Sequence, residues 1–301
     1  MKKTIIVVLS LLLCSCSAVR TASNILQPSS EPPATPAPTA TAKPTATPEP
    51  AEREGLDELK NQIGGFVSER GGEWGVYVKN LSTNEYLALN EHEMYSASLI
   101  KLFIMAAAYN EIDAGAIKKD EHVTELIRAM IEESSNDAAN ELCTLIGGGD
   151  MLAGFDAENA HTKSIGCTYT EQNTDLQDDR SNSTIPYLGR NYTSPRDCGH
   201  LLELIYRGKL CGSEHSAEAL GFLKNQQRRY KIPYLLPEGT VTANKTGEMS
   251  RVENDAAIVY GPKCDYIISI MVNETDDNDS TTMDIQELSK LVYDYFNGGG
   301  A

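Results

Sequence analysis

Apolar positions in this chain follow two periods by turns, one helical and one strand-like. Leu56, Leu59, Ile63 and Phe66 recur at the spacing of an amphipathic helix over 56–67. Trp74, Val76 and Val78 alternate with polar residues, and beyond a turn at 80–85 a second strand carries Tyr86, Ala88 and Asn90, which predicts a hairpin. From Ser98 to Asn110 nearly every residue is apolar, as in a buried helix with Ser98 in its first turn. Helical patterns return at 121–131, 137–146 and 196–206. Strand-like runs follow at 240–246, 255–260 and 266–273. A last helix takes Ser280 or Thr281 as N-cap, Ile285, Leu288, Val292 and Phe296 as its core, and Gly298 as its stop. This order predicts an α/β (α+β) sandwich. One antiparallel five-stranded sheet draws its halves from opposite ends of the chain and is flanked by helices, with an all-α lobe of about 98–220 inserted. Clefts form where such lobes meet.

The first fifty residues pattern differently. Lys2 and Lys3 precede an apolar run, Ile5 to Leu13, that is too short to span a bilayer, so 1–15 reads as a secretory signal. Leu13-Cys14-Ser15-Cys16 resembles the lipobox of bacterial lipoproteins, which implies a diacylglycerol thioether on Cys16. That tether places the protein on the outer face of the bacterial cytoplasmic membrane; the alternative is an ordinary cleaved signal and a secreted chain. Residues 16–51 hold the lipidated cysteine and a Pro/Ala/Thr-rich spacer with eight of the 13 prolines, leaving 52–301 as the folded domain.

Charge and cysteines narrow the partners. The formal charge is -17, and removal of the signal with its two lysines makes it -19, a field that repels phosphate backbones, so nucleic acid is excluded. Cysteines 143, 167, 198, 211 and 264 are odd in number and contain no CxxC, which removes zinc-ribbon and thioredoxin-like readings; one or two disulfides remain possible. The five histidines show no HExxH or paired spacing, and the acidic stretch 274–284 lacks the glycine of an EF-hand turn, so neither a metal nor any other cofactor is expected.

Three short strings carry the chemistry. In Ser98-Leu99-Ile100-Lys101 the serine lies one helical turn ahead of a lysine, so the two share a face, and the apolar neighbours lower the amine pKa toward that of a usable base. A helix start also favours negative charge developing on the serine oxygen. Ser134-Ser135-Asn136 leads into a helical run, with Ser134 able to pass a proton to a leaving nitrogen and Asn136 able to hold a substrate amide. Lys245-Thr246-Gly247 falls on a strand, where the lysine suits an anionic ligand and the glycine admits close approach. Each string alone has a plainer reading: a capping serine with a snorkelling lysine, a helix N-cap, and a surface lysine before a turn. Their order and placement together predict a serine nucleophile.

These strings, with Ala138-Ala139-Asn140 and Tyr192-Thr193-Ser194-Pro195, resemble the class A β-lactamases and related penicillin-recognising serine hydrolases over about residues 55–297. The resemblance implies that Ser98 is acylated by a β-lactam or a D-Ala-D-Ala-like amide, that Lys101 and Ser134 shuttle protons, and that Lys245 and Thr246 bind the substrate carboxylate. The oxyanion is implied to sit between the backbone N–H groups of Ser98 and Glu248. Expected partners are a small β-lactam or a peptidoglycan-derived peptide and, through the lipid, a membrane; the protein is expected to act as a monomer.

Three departures qualify the resemblance. Ser135 replaces the family's aspartate in the second string, and the interval between the first two strings is shorter than usual, which removes part of one cleft wall. The family's Glu-x-x-Leu-Asn string is absent. Counting back from Pro195 puts Asp178 where its glutamate belongs, with Glu171 as a rival. Glu248 adds a carboxylate beside a carboxylate site, which Arg251 is placed to offset. A D-Ala-D-Ala carboxypeptidase or amidase, and a penicillin-binding receptor that does not hydrolyse its ligand, are the alternatives to a β-lactamase.

Overall fold

The computed structural model describes residues 53–177, 183 and 185–298; the expected signal, Cys16 and the spacer lie outside them. The sheet has the order β1-β3-β2-β8-β7-β6, formed by β1 (Arg53–Glu54), β3 (Glu85–Leu89), β2 (Glu73–Asn80), β8 (Tyr266–Asn273), β7 (Val252–Tyr260) and β6 (Val241–Met249). Five long strands pair antiparallel as expected, and the two-residue β1 adds a parallel edge to β3. Alternation along the strands sorts two cores. Val76, Val78, Ile268, Ile270 and Val259 face α1 (Asp57–Ser68) and α8 (Asn278–Asn297), where they meet Leu59, Ile63, Ile285, Leu288 and Val292. Tyr77, Ile258, Ile267 and Met271 face the helical lobe.

That lobe is built around α2 (Lys101–Asp113), in which every residue from Lys101 to Tyr109 is buried. Around it lie α3 (Glu121–Arg128), α4 (Asn136–Ile146), α5 (Met151–Ser164), α6 (Pro195–Tyr206) and α7 (Gly212–Lys224). A helix apolar on all sides is stable only when enclosed, so α2 occupies the centre. A two-stranded ribbon of β4 (Met94–Tyr95) and β5 (Tyr192–Thr193) ties the chain before Ser98 to the segment entering α6.

Several boundaries differ from expectation. Ser98 lies in a 3-10 turn, Ala97–Ile100, that hands over to α2 at Lys101. The helix expected over 121–131 ends at Arg128 and widens into a π-type turn, Ala129–Glu133. Asp277, not Ser280 or Thr281, caps α8, because its carboxylate accepts from the N–H groups of both Asp279 and Ser280. Helices α5 and α7 give weak patterns because they bury Glu158, Thr162, His215 and Ser216. β7 begins three residues early because Glu253 and Asn254 are buried polar groups. The five described cysteines are free thiols.

Candidate active site

Where the helical lobe meets the end of β6, five polar side chains converge. Lys101 is held by α2 under full burial, and its Nζ donates to Ser98 Oγ (3.1 Å), Ser134 Oγ (3.2 Å), the Ser134 carbonyl (2.6 Å) and Asn136 Oδ1 (2.8 Å). From the other side Lys245 Nζ donates to Ser134 Oγ (2.9 Å) and to the Thr246 carbonyl (2.8 Å). Ser134 thus lies between two amines. Burial pushes the Lys245 amine well below its ordinary pKa, and the nearby Lys101 charge adds to that.

Local structure explains this convergence. The π-type turn before Ser134 ends with that residue at φ 64°, a left-handed conformation that costs free energy in a non-glycine residue and aims its hydroxyl between the lysines. Ser135 supplies the cap of α4, its Oγ accepting from the Ala138 N–H (3.2 Å), so the second string divides its work among three residues. Gly247 lets β6 run against the Ser98 turn: a Cβ there would come within 2.8 Å of the Ser96 carbonyl and 3.1 Å of the Ser98 nitrogen. Asn254 fixes the same turn to the sheet by donating to the Tyr95 (2.9 Å) and Ser96 (3.2 Å) carbonyls.

Ser98, Lys101, Ser134, Asn136 and Lys245 therefore come together, with Thr246 and Gly247 on the adjoining strand. Glu248 lines the cleft, but its carboxylate is bound by Arg228 and the Tyr230 hydroxyl. Burial raises its pKa, and the Tyr230 bond with the Lys231 and Arg228 charges outweighs that, leaving it below the ordinary carboxylate value. Arg251 does not offset Glu248. It lies past the strand end, paired with Asp276 (2.6 Å) and bonded to the Glu274 carbonyl (3.0 Å), and Arg228 takes the role expected of it.

The other wall is the segment after α5. Glu171 exchanges backbone bonds with Tyr192 (3.1 and 3.0 Å), and its exposed side chain is not part of the cleft lining. Asp178 lies outside the described residues. This wall presents Thr174, Asp175, Leu176 and Gln177, and Leu176 is clamped at both backbone groups by Asn140: Nδ2 donates to its carbonyl and Oδ1 accepts from its N–H, each at 2.8 Å. Nothing in the residue pattern gives away this clamp, although Asn140 belongs to the string that carries the resemblance. Sequence reasoning also missed Lys231, a buried amine that joins the register partners Gly247 and Asn254 by donating to both carbonyls (3.1 Å each). The cleft between the walls measures about 620 Å³ and includes Ser98 and Asn136 in its lining.

Fold and site together define the class of β-lactamase-like serine hydrolases. The profile of the β-lactamase enzyme family matches residues 58–125 and 119–296, and the chain belongs to that family. A β-lactamase of Citrobacter koseri is 25% identical over 172 residues, which span 56% of this chain and 56% of that relative. Among solved structures, PBP-A superposes with a TM-score of 0.71 at 24% identity, covering 83% of this chain and 99% of its own. The TLA-1 extended-spectrum β-lactamase superposes at 0.69 and 20% identity, covering 80% and 99%. A point variant of PBP-A, solved as an acyl-enzyme complex with penicillin G, matches at 0.71.

Proposed function

We propose that this protein is a serine acyl-transfer enzyme of the class A type, which opens β-lactams or related D-Ala-D-Ala-like amides through an ester at Ser98. The observation that carries the reading is the reach of one buried amine, Lys101, to the hydroxyls of both Ser98 and Ser134. Lys101 in its neutral form takes the proton as Ser98 Oγ bonds to the substrate carbonyl carbon. The oxyanion is held by the backbone N–H groups of Ser98 and Glu248. As the C–N bond breaks, Ser134 gives its hydroxyl proton to the departing nitrogen, and the proton on Lys101 passes to Ser134. The net result is one proton lost from Ser98 and one gained by the amine product, with Ser134 reprotonated and the lysine neutral again. Lys245 and Thr246 hold the ligand carboxylate, and Asn136, its oxygen engaged by Lys101, turns its amide N–H groups to the substrate.

Release of the acyl group needs an activated water; on the described part of the loop wall the position that Asn140 clamps carries Leu176, and the carboxylate in the lining, Asp175, accepts from its neighbour Thr174 Oγ1 (3.1 Å). This favours slow hydrolysis, and it supports as a second reading a wall-peptide carboxypeptidase or a receptor that is acylated once. A chromogenic cephalosporin mixed with purified protein separates these readings. Sustained turnover marks a β-lactamase, and one equivalent followed by a halt marks a receptor. D-alanine release from a wall peptide without drug turnover marks a carboxypeptidase. Absence of any burst, turnover or D-alanine release contradicts the proposal. We further propose lipidation at Cys16 as the means of holding the domain at the membrane surface; mass spectrometry of the protein from detergent extracts tests it, an unmodified Cys16 being the contrary result.

A further inference from the structure

The cleft contains an arginine that the proposed chemistry does not use. Arg190 lines the same cavity as Ser98, but on the loop wall, whereas Lys245 is carried by β6 on the opposite side. Of the described arginines, Arg70, Arg128, Arg196, Arg207, Arg228 and Arg251 form ion pairs, and Arg229 donates to Thr242 Oγ1 (2.9 Å). Arg190 forms no ion pair among the described residues. Its guanidinium lies 4.3 Å from the centroid of the Tyr95 ring, and Tyr95 packs in turn on Tyr192 at 5.3 Å. A guanidinium stacked on an aromatic face keeps its N–H edge available to a carboxylate.

The position is also rigid. Asn173 Nδ2 donates to the Arg190 carbonyl (3.1 Å), and Asn191 Oδ1 accepts from the N–H groups of Asn173 and Thr174 (2.8 and 2.9 Å). The Asn191 carbonyl accepts from the Ser96 N–H (3.0 Å), two residues before the nucleophile. Of the acids lining the cavity, Asp175 accepts from Thr174 Oγ1 (3.1 Å), and Glu248 is bound by Arg228 and Tyr230. Tyr187, 56% exposed, lines the same cavity.

We infer that Arg190 is a specificity-determining residue that selects ligands whose acyl side chain carries a carboxylate, so that the ligand is held by an anion at each end. Lys245 takes the carboxylate next to the scissile amide, and Arg190 on its tyrosine platform takes the distal one. The inference rests on the acyl-transfer reading proposed above. Its chemistry is shared by carboxylated penicillins and by wall peptides with an acidic acyl end.

The test measures the rate of Ser98 ester formation with benzylpenicillin and with its α-carboxy derivative. A parallel pair, D-Ala-D-Ala capped with a butyryl or a glutaryl group, is followed by D-alanine release. The quantity read is the anionic-to-neutral ratio within each pair. Arg190→Gln is expected to lower that ratio about tenfold, the size of one charge-assisted hydrogen bond, and Arg190→Lys to lower it less. Added salt is expected to lower the ratio in the unaltered protein. A change in the peptide pair alone assigns the site to wall peptides; a change in the penicillin pair assigns it to acyl side chains of drugs. A ratio indifferent to Arg190→Gln in both pairs, or lowered equally by Arg190→Lys, overturns the inference. If no ligand of either pair reacts, the acyl-transfer reading itself fails, and this inference with it.

Discussion

The two walls of the cleft are finished to different degrees. On the strand and α2 side Lys101, Ser134 and Lys245 are buried and hydrogen-bonded, and the Ser98 turn is braced by the Gly247 strand edge and the Asn254 tie. On the loop side the bracing is equally careful, yet what Asn140 clamps in place is the hydrocarbon side chain of Leu176. Making an ester requires a base beside the serine and a hole for the oxyanion, whereas breaking it requires a second base for water. The contrast teaches that precise support of a wall residue says nothing about its chemistry. It also separates two capacities that a family likeness tends to merge.

The comparison can be broken most sharply on the strand and α2 side. Lys101→Ala is expected to slow acylation about 10²- to 10⁴-fold, the usual contribution of a positioned base. Stopped-flow measurement with a reporter cephalosporin checks this, and an unaltered rate removes the lysine from the chemistry. Next is Gly247→Val, whose Cβ would crowd the Ser96 carbonyl and the Ser98 nitrogen. Displacing a backbone donor from the oxyanion is expected to cost about 10²- to 10³-fold in the same assay.

The loop side is sharpened by placing a carboxylate at the clamped position. Leu176→Glu is expected to raise steady hydrolysis of a penicillin about 10²-fold by supplying a base for water, with the acylation burst retained; unchanged turnover would show that the wall does not face the ester. Asn140→Ala removes both backbone bonds to Leu176 and is expected to lower stability by about 1–3 kcal/mol, read from urea unfolding. The smallest effect concerns Asp255, whose carboxyl is pushed up from 3.8 to about 7 by burial, against the pull of Lys231. Between those values the native state keeps a proton that the unfolded chain has lost, so this group makes stability fall as pH rises through the window. Asp255→Asn is expected to flatten that part of the urea midpoint's pH dependence.

How much of this was legible beforehand depended on whether polarity and position agreed. The five-stranded sheet was readable because β2 alternates apolar residues and β8 is a nearly continuous apolar run, as a strand covered on both faces requires. The meeting of Ser98, Lys101, Ser134 and Lys245 was readable because each string has a residue type that is costly to bury without purpose. Residues that contradict the usual pattern were not legible. β7 hides Glu253, Asn254 and Asp255 inside the sheet, α5 buries Glu158, and Arg251 turned outward because its left-handed backbone ends the strand pairing. The Asn140 clamp and the Arg190 platform depend on contacts across long sequence intervals, which no local period encodes.

The central claim is that Ser98 is the group acylated. Peptide mapping of the protein after brief exposure to penicillin G tests it most directly. The account predicts one equivalent of penicilloyl ester on the peptide containing Ser98, and none on Ser98→Ala. An adduct on another residue, or labelling that persists in Ser98→Ala, would contradict it.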